Sequence, residues 1–493
     1  MVLDYSNNAR VLGNHGGVQY SSLTGIITQN SNDEERLTNA LDDFRQTKNG
    51  VLDLRRIRMT EARMDKVLHT LSKQSVKSLN LSRCELSKLP ATWIKLCSFL
   101  NTSKVESLDL SSNWIDQDFL DKLVDSLCNK SSSLKQLCLR QIGISGESGG
   151  KALTKVLKGS PSLESLDVAK NRWLGKEGAQ ELAVGLVYNQ NLQSLNLTDC
   201  MLGDPAVAII TLSMVHHPRL THLSLSRNKV SLESLSSVIR ILESDRSVLQ
   251  TLDLSYNADL FGEVAFPTRE EGENEEAEQE VILSPRQIQI GREFGEAVRW
   301  HKTLRSLNLS FCDIRGKCMF PLFQALESNT ALKTLQMVCT PLGSEDYSIL
   351  FKSVKVMKGL EKLEIDWQVP YKRRNDFVKI VVAENQSLHA VNQGFSVNQG
   401  FSETDKWCVA KSEEMCKGLM KNRALTCIQR NSDELPSFWA SVLEKLGSPI
   451  LGTESSGNVP ATLVYHVARN LLPQSADALM DWVTINNQSW DDE

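Results

Sequence analysis

Residues Val105–Ile115, VESLDLSSNWI, decide the fold. Leu108 and Leu110 alternate with Ser107, Asp109 and Ser111, the pattern of a strand with one apolar and one wet face. Asn113 and Ile115 then close a turn. The phrase returns as LESLDVAKN from Leu163, LQSLNLTDC from Leu192, LTHLSLSRN from Leu220, LQTLDLSYN from Leu249 and LRSLNLSFC from Leu304. Superimposed, these give LxxLxLxx(N/C)xL.

Taken at its first position, the phrase starts at 49, 76, 105, 134, 163, 192, 220, 249, 304, 332 and 360, with a degenerate copy at 388. Most intervals are 28 or 29 residues, room for a strand, a turn, a helix and a return loop. Each unit is therefore a right-handed βα step. The helices are visible as apolar stripes: Phe119, Leu120, Leu123, Val124 and Leu127 share one face, as do Leu232, Leu235, Val238, Ile239 and Leu242. The expected architecture is an α/β solenoid, a horseshoe with a parallel sheet on its concave side and helices outside. The period, and Cys84, Asn113, Ile142, Asn171, Cys200 and Asn228 at one slot, resemble the ribonuclease-inhibitor-like class of leucine-rich repeats over about residues 49–395. Ile57, Ile142, Thr340 and Gln368 depart from Asn or Cys at that slot, which weakens the turn there.

One interval is 55 residues. It holds GEVAFPTREEGENEEAEQEVILSPRQ, about residues 262–287, with seven Glu between 270 and 280. The helical pattern resumes at Ile288 and the next strand follows on schedule, so this is a loop inserted after strand eight, and its charge density predicts disorder. Residues 1–30 are polar and aperiodic and read as a disordered tail. A helix from Ser31, with Leu37, Leu41 and Phe44 on one face, caps the array, which runs to 402. Residues 403–493 carry short helical patterns broken by Pro436, Pro449, Pro460 and Pro473, and a helical C-terminal cap is expected.

The chain has 493 residues and a net charge of −5, without the basic stripe of a nucleic-acid binder. No stretch approaches the roughly 20 apolar residues of a membrane helix, and the N-terminus lacks a secretory pattern. Three of the 11 cysteines, Cys84, Cys200 and Cys312, are explained by the repeat slot. The sequons at Asn80, Asn196 and Asn308 fall inside strands, where a glycan would block the sheet. A cytoplasmic monomer, with the nucleus as a second compartment, is the expectation.

Several patterns invite chemistry. GISGESGGK from Gly143 sits where a phosphate loop would, but Ser145 replaces the first Gly and Ala152 the metal-binding hydroxyl, and every repeat has a turn there. His216, His217 and His222 cluster, yet no fourth ligand stands at zinc spacing. Cys312 and Cys318 flank one turn, and the repeat already accounts for Cys312. No catalytic triad, metal site or cofactor site is assigned.

The hollow face is more informative. Between the buried leucines stand Asp53, Asn80, Asp109, Cys138, Asp167, Asn196, Ser224, Asp253, Asn308, Gln336 and Glu364, short polar groups with an acidic bias and no basic member. Asp109, Asp167, Asp253 and Glu364 would suit a partner with a basic surface; the alternative is a slot that merely tolerates small polar residues. Near the strand ends stand Tyr256, Phe311 and Trp367, and in the turns Trp114 and Trp173, side chains of the kind that anchor interfaces. The acidic insertion springs from the same rim and would steer such a partner.

The expectation is a non-enzymatic protein-interaction scaffold. The array is also similar to that of the activating protein for the nuclear-transport GTPase, which pairs 28- to 29-residue repeats with an acidic segment. There the acidic run follows the repeats, whereas here it interrupts them, and no catalytic residue carries across. A pathogen-sensing receptor would need an upstream nucleotide-binding domain, for which residues 1–48 leave no room.

Overall fold

A computed structural model of the chain describes residues 22–128, 133–262, 283–314, 319–338, 340, 342, 344–366, 390–394 and 427–430. The strands are β1 (Val51–Asp53), β2 (Ser78–Asn80), β3 (Ser107–Asp109), β4 (Gln136–Cys138), β5 (Ser165–Asp167), β6 (Ser194–Asn196), β7 (His222–Ser224), β8 (Thr251–Asp253), β9 (Ser306–Asn308), β10 (Thr334–Met337), β11 (Lys362–Asp366), β12 (Ala390–Gly394) and β13 (Cys427–Arg430). They form one 13-stranded sheet in chain order, and each pair of neighbours is parallel. This is the α/β leucine-rich-repeat solenoid, with the sheet on the concave face.

Register follows the leucines. Leu52, Leu79, Leu108, Leu137, Leu166, Leu195, Leu223, Leu252, Leu307, Leu335 and Leu363 lie side by side across the sheet, all buried. A one-residue slip would turn this row outward, so the pairing is strongly specified.

Helix α1 (Ser22–Thr47) packs against β1 and buries Leu37, Leu41 and Phe44, closing the first edge of the core. It begins earlier than its apolar stripe does. The convex layer follows as α2 (Glu61–Leu71), α3 (Pro90–Thr102), α4 (Gln117–Leu127), α5 (Gly146–Gly159), α6 (Gly175–Tyr188), α7 (Gly203–Met214), α8 (Leu232–Glu243), α9 (Pro285–Trp300), α10 (Phe320–Ser328) and α11 (Ser344–Val356). Both stripes read from the sequence face inward, with Phe119 only half-buried.

The long interval interrupts a turn and leaves the sheet whole. Strand β8 pairs directly with β9, Leu252 beside Leu307, and Arg286 of α9 reaches Glu233 of α8 at 2.8 Å. Residues 263–282 of the acidic insertion, the tail before Ser22, and Trp367 and Gln368 lie outside the described residues. Of the expected helical cap at 403–493, the described part is Cys427–Arg430, and it is a strand beside β12. Continuing the open parallel edge satisfies backbone groups that a helix would have left unpaired there.

The Asn/Cys slot holds the coils together. Asn171 Nδ2 donates to the carbonyls of Leu139 (2.9 Å) and Val168 (2.7 Å), while its Oδ1 accepts the amides of Ile142, Gly143 and Ile144 at 3.1–3.2 Å. Asn113, Asn228 and Asn257 make equivalent bonds. Cys84, Cys200 and Cys312 donate their thiols to Leu54, Val168 and Leu254 carbonyls at 3.1–3.3 Å. In these repeats the slot holds a buried hydrogen-bond donor, whereas Ile57 and Ile142 fill it with apolar side chains. Cys84 brings no amide oxygen to the turn before it, and there Asp33 of α1 accepts the Arg58 amide at 3.2 Å.

Candidate functional site: the turn-side rim

Among the described residues, the one before that slot is left-handed in nine repeats. At Arg56, Arg83, Ser112, Gln141, Lys170, Asp199, Arg227, Tyr256 and Phe311, φ lies between +54° and +63°. Each donates its amide to a carbonyl one repeat on, from Arg56 to Ser82 through Phe311 to Val338, at 2.7–3.0 Å. Left-handed backbone costs a non-glycine residue on the order of 1 kcal/mol, and this inter-coil ladder offsets it. The sign of φ turns these side chains out, so successive repeats line up a row of unrelated residues about 4.8 Å apart.

Two of the expected anchors meet in this row. Tyr256 and Phe311 stack with centroids 4.1 Å apart and planes 7° apart, each about 40% exposed, and the Arg227 guanidinium stands 4.0 Å from the Tyr256 ring centroid. Sequence reading placed these two aromatics at strand ends but missed the cation. The insertion had separated Phe311 from Tyr256 in sequence, yet strand pairing makes them neighbours.

Trp114 and Trp173 come from repeats two apart and still touch, edge to face, with centroids at 5.1 Å. Gly143 of the intervening repeat packs beside Trp114. Its φ is +97°, and a Cβ there would lie 3.2 Å from the Ile115 carbonyl and 3.7 Å from the Trp114 ring. Both tryptophans remain more than half exposed.

The polar ladder lies in register from Asp53 to Glu364. Much of its acidity serves the fold. Asp109, Asp167 and Asp253 accept the amides of Ser111, Ala169 and Ser255 two residues on, as Asn80, Asn196 and Asn308 do in their repeats. These are Asx turns, a physical reason for a short side-chain oxygen at the slot. Arg140 pairs with Asp167 at 3.1 Å, and Lys362 pairs with Glu364, which also accepts from Gln336 at 2.6 Å. Among the described residues Asp109 and Asp253 make no ion pair at contact distance, though Arg55 attracts Asp109 from further away. The ladder itself has no basic member, but its flanks supply three: Arg55 on Asp53, Arg140 and Lys362.

The other patterns are absorbed by packing. In GISGESGGK, Gly150 sits where α5 meets α6, and a Cβ there would lie 2.3 Å from the Gly178 carbonyl. His217 is buried with Nε2 2.7 Å from the Asn189 carbonyl, and burial lowers its pKa. His216 and His222 face Ser244 and Thr221. Asn189, His217, His301 and Asn329 all stand three residues before a repeat's first leucine, and Asn189 and His301 each accept the amide of that leucine. That spacing was a legible signal the sequence reading passed over. Burial pushes the Cys84, Cys200 and Cys312 thiols up to about 12, so they are not nucleophiles at neutral pH.

Comparison with known proteins finds the same kind of repeat. A family described as "Leucine Rich repeat" matches residues 159–183, 188–208 and 301–321. The chain is 26% identical over 309 residues to human NACHT, LRR and PYD domains-containing protein 13, covering 58% of this chain and 28% of that one. It is 29% identical over 181 residues to pig ribonuclease inhibitor, covering 36% of this chain and 39% of the inhibitor. Among solved structures, the yeast Rad7 and Elc1 complex contains a similar chain, with a TM-score of 0.40, 15% identity, and coverage of 78% of this chain and 97% of that one. The chain resembles leucine-rich-repeat proteins of the ribonuclease-inhibitor-like class. It spans well under half the length of these two curated relatives.

Proposed function

We propose that the protein is a non-enzymatic scaffold that takes a protein partner on its strand-side face. The Tyr256–Phe311 stack carries this reading: two exposed, mutually rigid rings held on a hydrogen-bonded ladder lose little freedom on docking. Trp114 and Trp173 form a second anchor on the same rim. Asp109 and Asp253, which no described cation contacts in an ion pair, meet basic groups of the partner in the hollow. Asp167 and Glu364 act less directly, because Arg140 and Lys362 already hold them. Free buried thiols support a reducing, cytoplasmic setting.

The test is affinity capture with the full-length chain beside a Tyr256→Ala/Phe311→Ala variant. The partner should be retained by the first and reduced at least about tenfold by the second, the loss of roughly 1.4 kcal/mol. A partner captured equally by both would refute the anchor. In single-turnover assays with small GTPases, the scaffold should leave GTP hydrolysis unaccelerated.

A further inference from the structure

Between the tryptophan pair and the Tyr256–Phe311 stack runs a groove of about 640 Å³, lined by Trp114, Trp173, Lys170, Arg172, Asp199 and Arg227 among others. Its charge is resolved by one pairing. Arg172 Nε donates to both Asp199 oxygens at 3.0 and 2.9 Å, so these two cancel. Asp199 stands in the rim row between Lys170 and Arg227, and this clamp keeps its carboxylate from neutralising either. Lys170 and Arg227 have no carboxylate partner among the described residues. Two strand spacings separate them, about 10 Å. The groove is thus dicationic, with an aromatic wall at one end and the Arg227-capped Tyr256 ring at the other.

We infer that this groove binds an acidic segment of a protein partner. Alternate side chains of an extended segment fall about 6.7 Å apart on one face, and the Lys170 stem spans the remainder to bring both cations onto carboxylates. An apolar side chain of the same segment packs on the exposed edges of Trp114 and Trp173. Exposed aromatics can also hold cationic ligands, but Lys170 and Arg227 repel them here. The inference rests on the scaffold reading and gives the partner a bipolar surface: carboxylates for the rim, cations for Asp109 and Asp253.

The probe is a phage-displayed library of random dodecapeptides, selected on the full-length chain, with the enriched peptides resynthesised, fluorescein-labelled and titrated by anisotropy. Enriched sequences should carry net negative charge and an apolar residue. Their binding should weaken about tenfold in Lys170→Glu and in Trp173→Ala, each a loss of about 1.4 kcal/mol, and weaken further with added salt. These side chains are exposed, and unchanged thermal melting confirms that both variants fold. Lys170→Ala gives a milder second test, with a smaller loss in the same direction. Neutral or basic winners, no enrichment, or binding indifferent to Lys170→Glu would each overturn the inference. Partner capture that still depends on Tyr256 and Phe311 would then leave the scaffold standing. Capture independent of those two rings, with acidic peptides still bound, would leave the groove standing instead.

Discussion

Two columns of this solenoid run side by side, one residue apart in every repeat. Asn113, Asn171, Cys200, Asn228, Asn257 and Cys312 are buried and chemically uniform. Their immediate predecessors, Ser112, Lys170, Asp199, Arg227, Tyr256 and Phe311, are chemically unrelated and sit on the rim. In the first column Asn bonds both amides and carbonyls of the neighbouring turns and Cys a carbonyl, so polar choices there are narrow. In the second, the backbone makes an inter-coil bond whatever the side chain, so residue identity is less constrained by folding, though Asp199 is buried against Arg172 of the preceding coil. Adjacent residues thus answer to different demands: stability in the first column and, on the scaffold reading proposed above, recognition in the second.

The comparison can be broken at its buried side first. Asn171→Ala leaves the Leu139 and Val168 carbonyls and three turn amides without their partner, and should destabilise the array by about 3 kcal/mol or more, read by urea unfolding. Gly143→Val forces a branched side chain into left-handed backbone against the Ile115 carbonyl and should cost about 2 kcal/mol. It should also abolish the near-ultraviolet circular dichroism of the Trp114–Trp173 pair, which Lys170→Ala should leave intact.

An effect absent at neutral pH distinguishes buried histidine from asparagine at one loop slot. Burial lowers His301 from its ordinary 6.5 to about 4. The unfolded chain therefore takes up the proton first, and stability from His301 is lost as pH falls from about 6.5 to about 4. His301→Asn, the residue found at 189 and 329, should flatten that part of the unfolding profile. Smallest of all, Lys170→Ala should change stability by no more than about 0.5 kcal/mol. A large loss there would erase the distinction between the columns.

Much of the fold was legible because burial is periodic. The leucine rows, the convex helical stripes and the continuity of β8 with β9 across 55 residues all follow from spacing. The site was legible in part. Tyr256 and Phe311 stand out as aromatics at strand ends, but Arg227 beside them is an ordinary surface arginine in sequence. The acidic ladder misled by half: Asp109, Asp167 and Asp253 share a slot with Asn80, Asn196 and Asn308 because an Asx turn needs an oxygen and is indifferent to charge. Residues 427–430 continue the sheet as strand β13 where the pattern suggested helix, since pairing with β12 outweighs a weak local period.

The sequence by itself determined which residues are inside, because an iterated leucine spacing leaves one way for neighbouring coils to share a core. Tertiary structure alone decided which outward residues converge. The left-handed φ that builds the rim row, the meeting of two tryptophans across a repeat, and the clamp of Arg172 on Asp199 are relations between coils. Exposed positions carry no hydrophobic period, so nothing along a single coil records them.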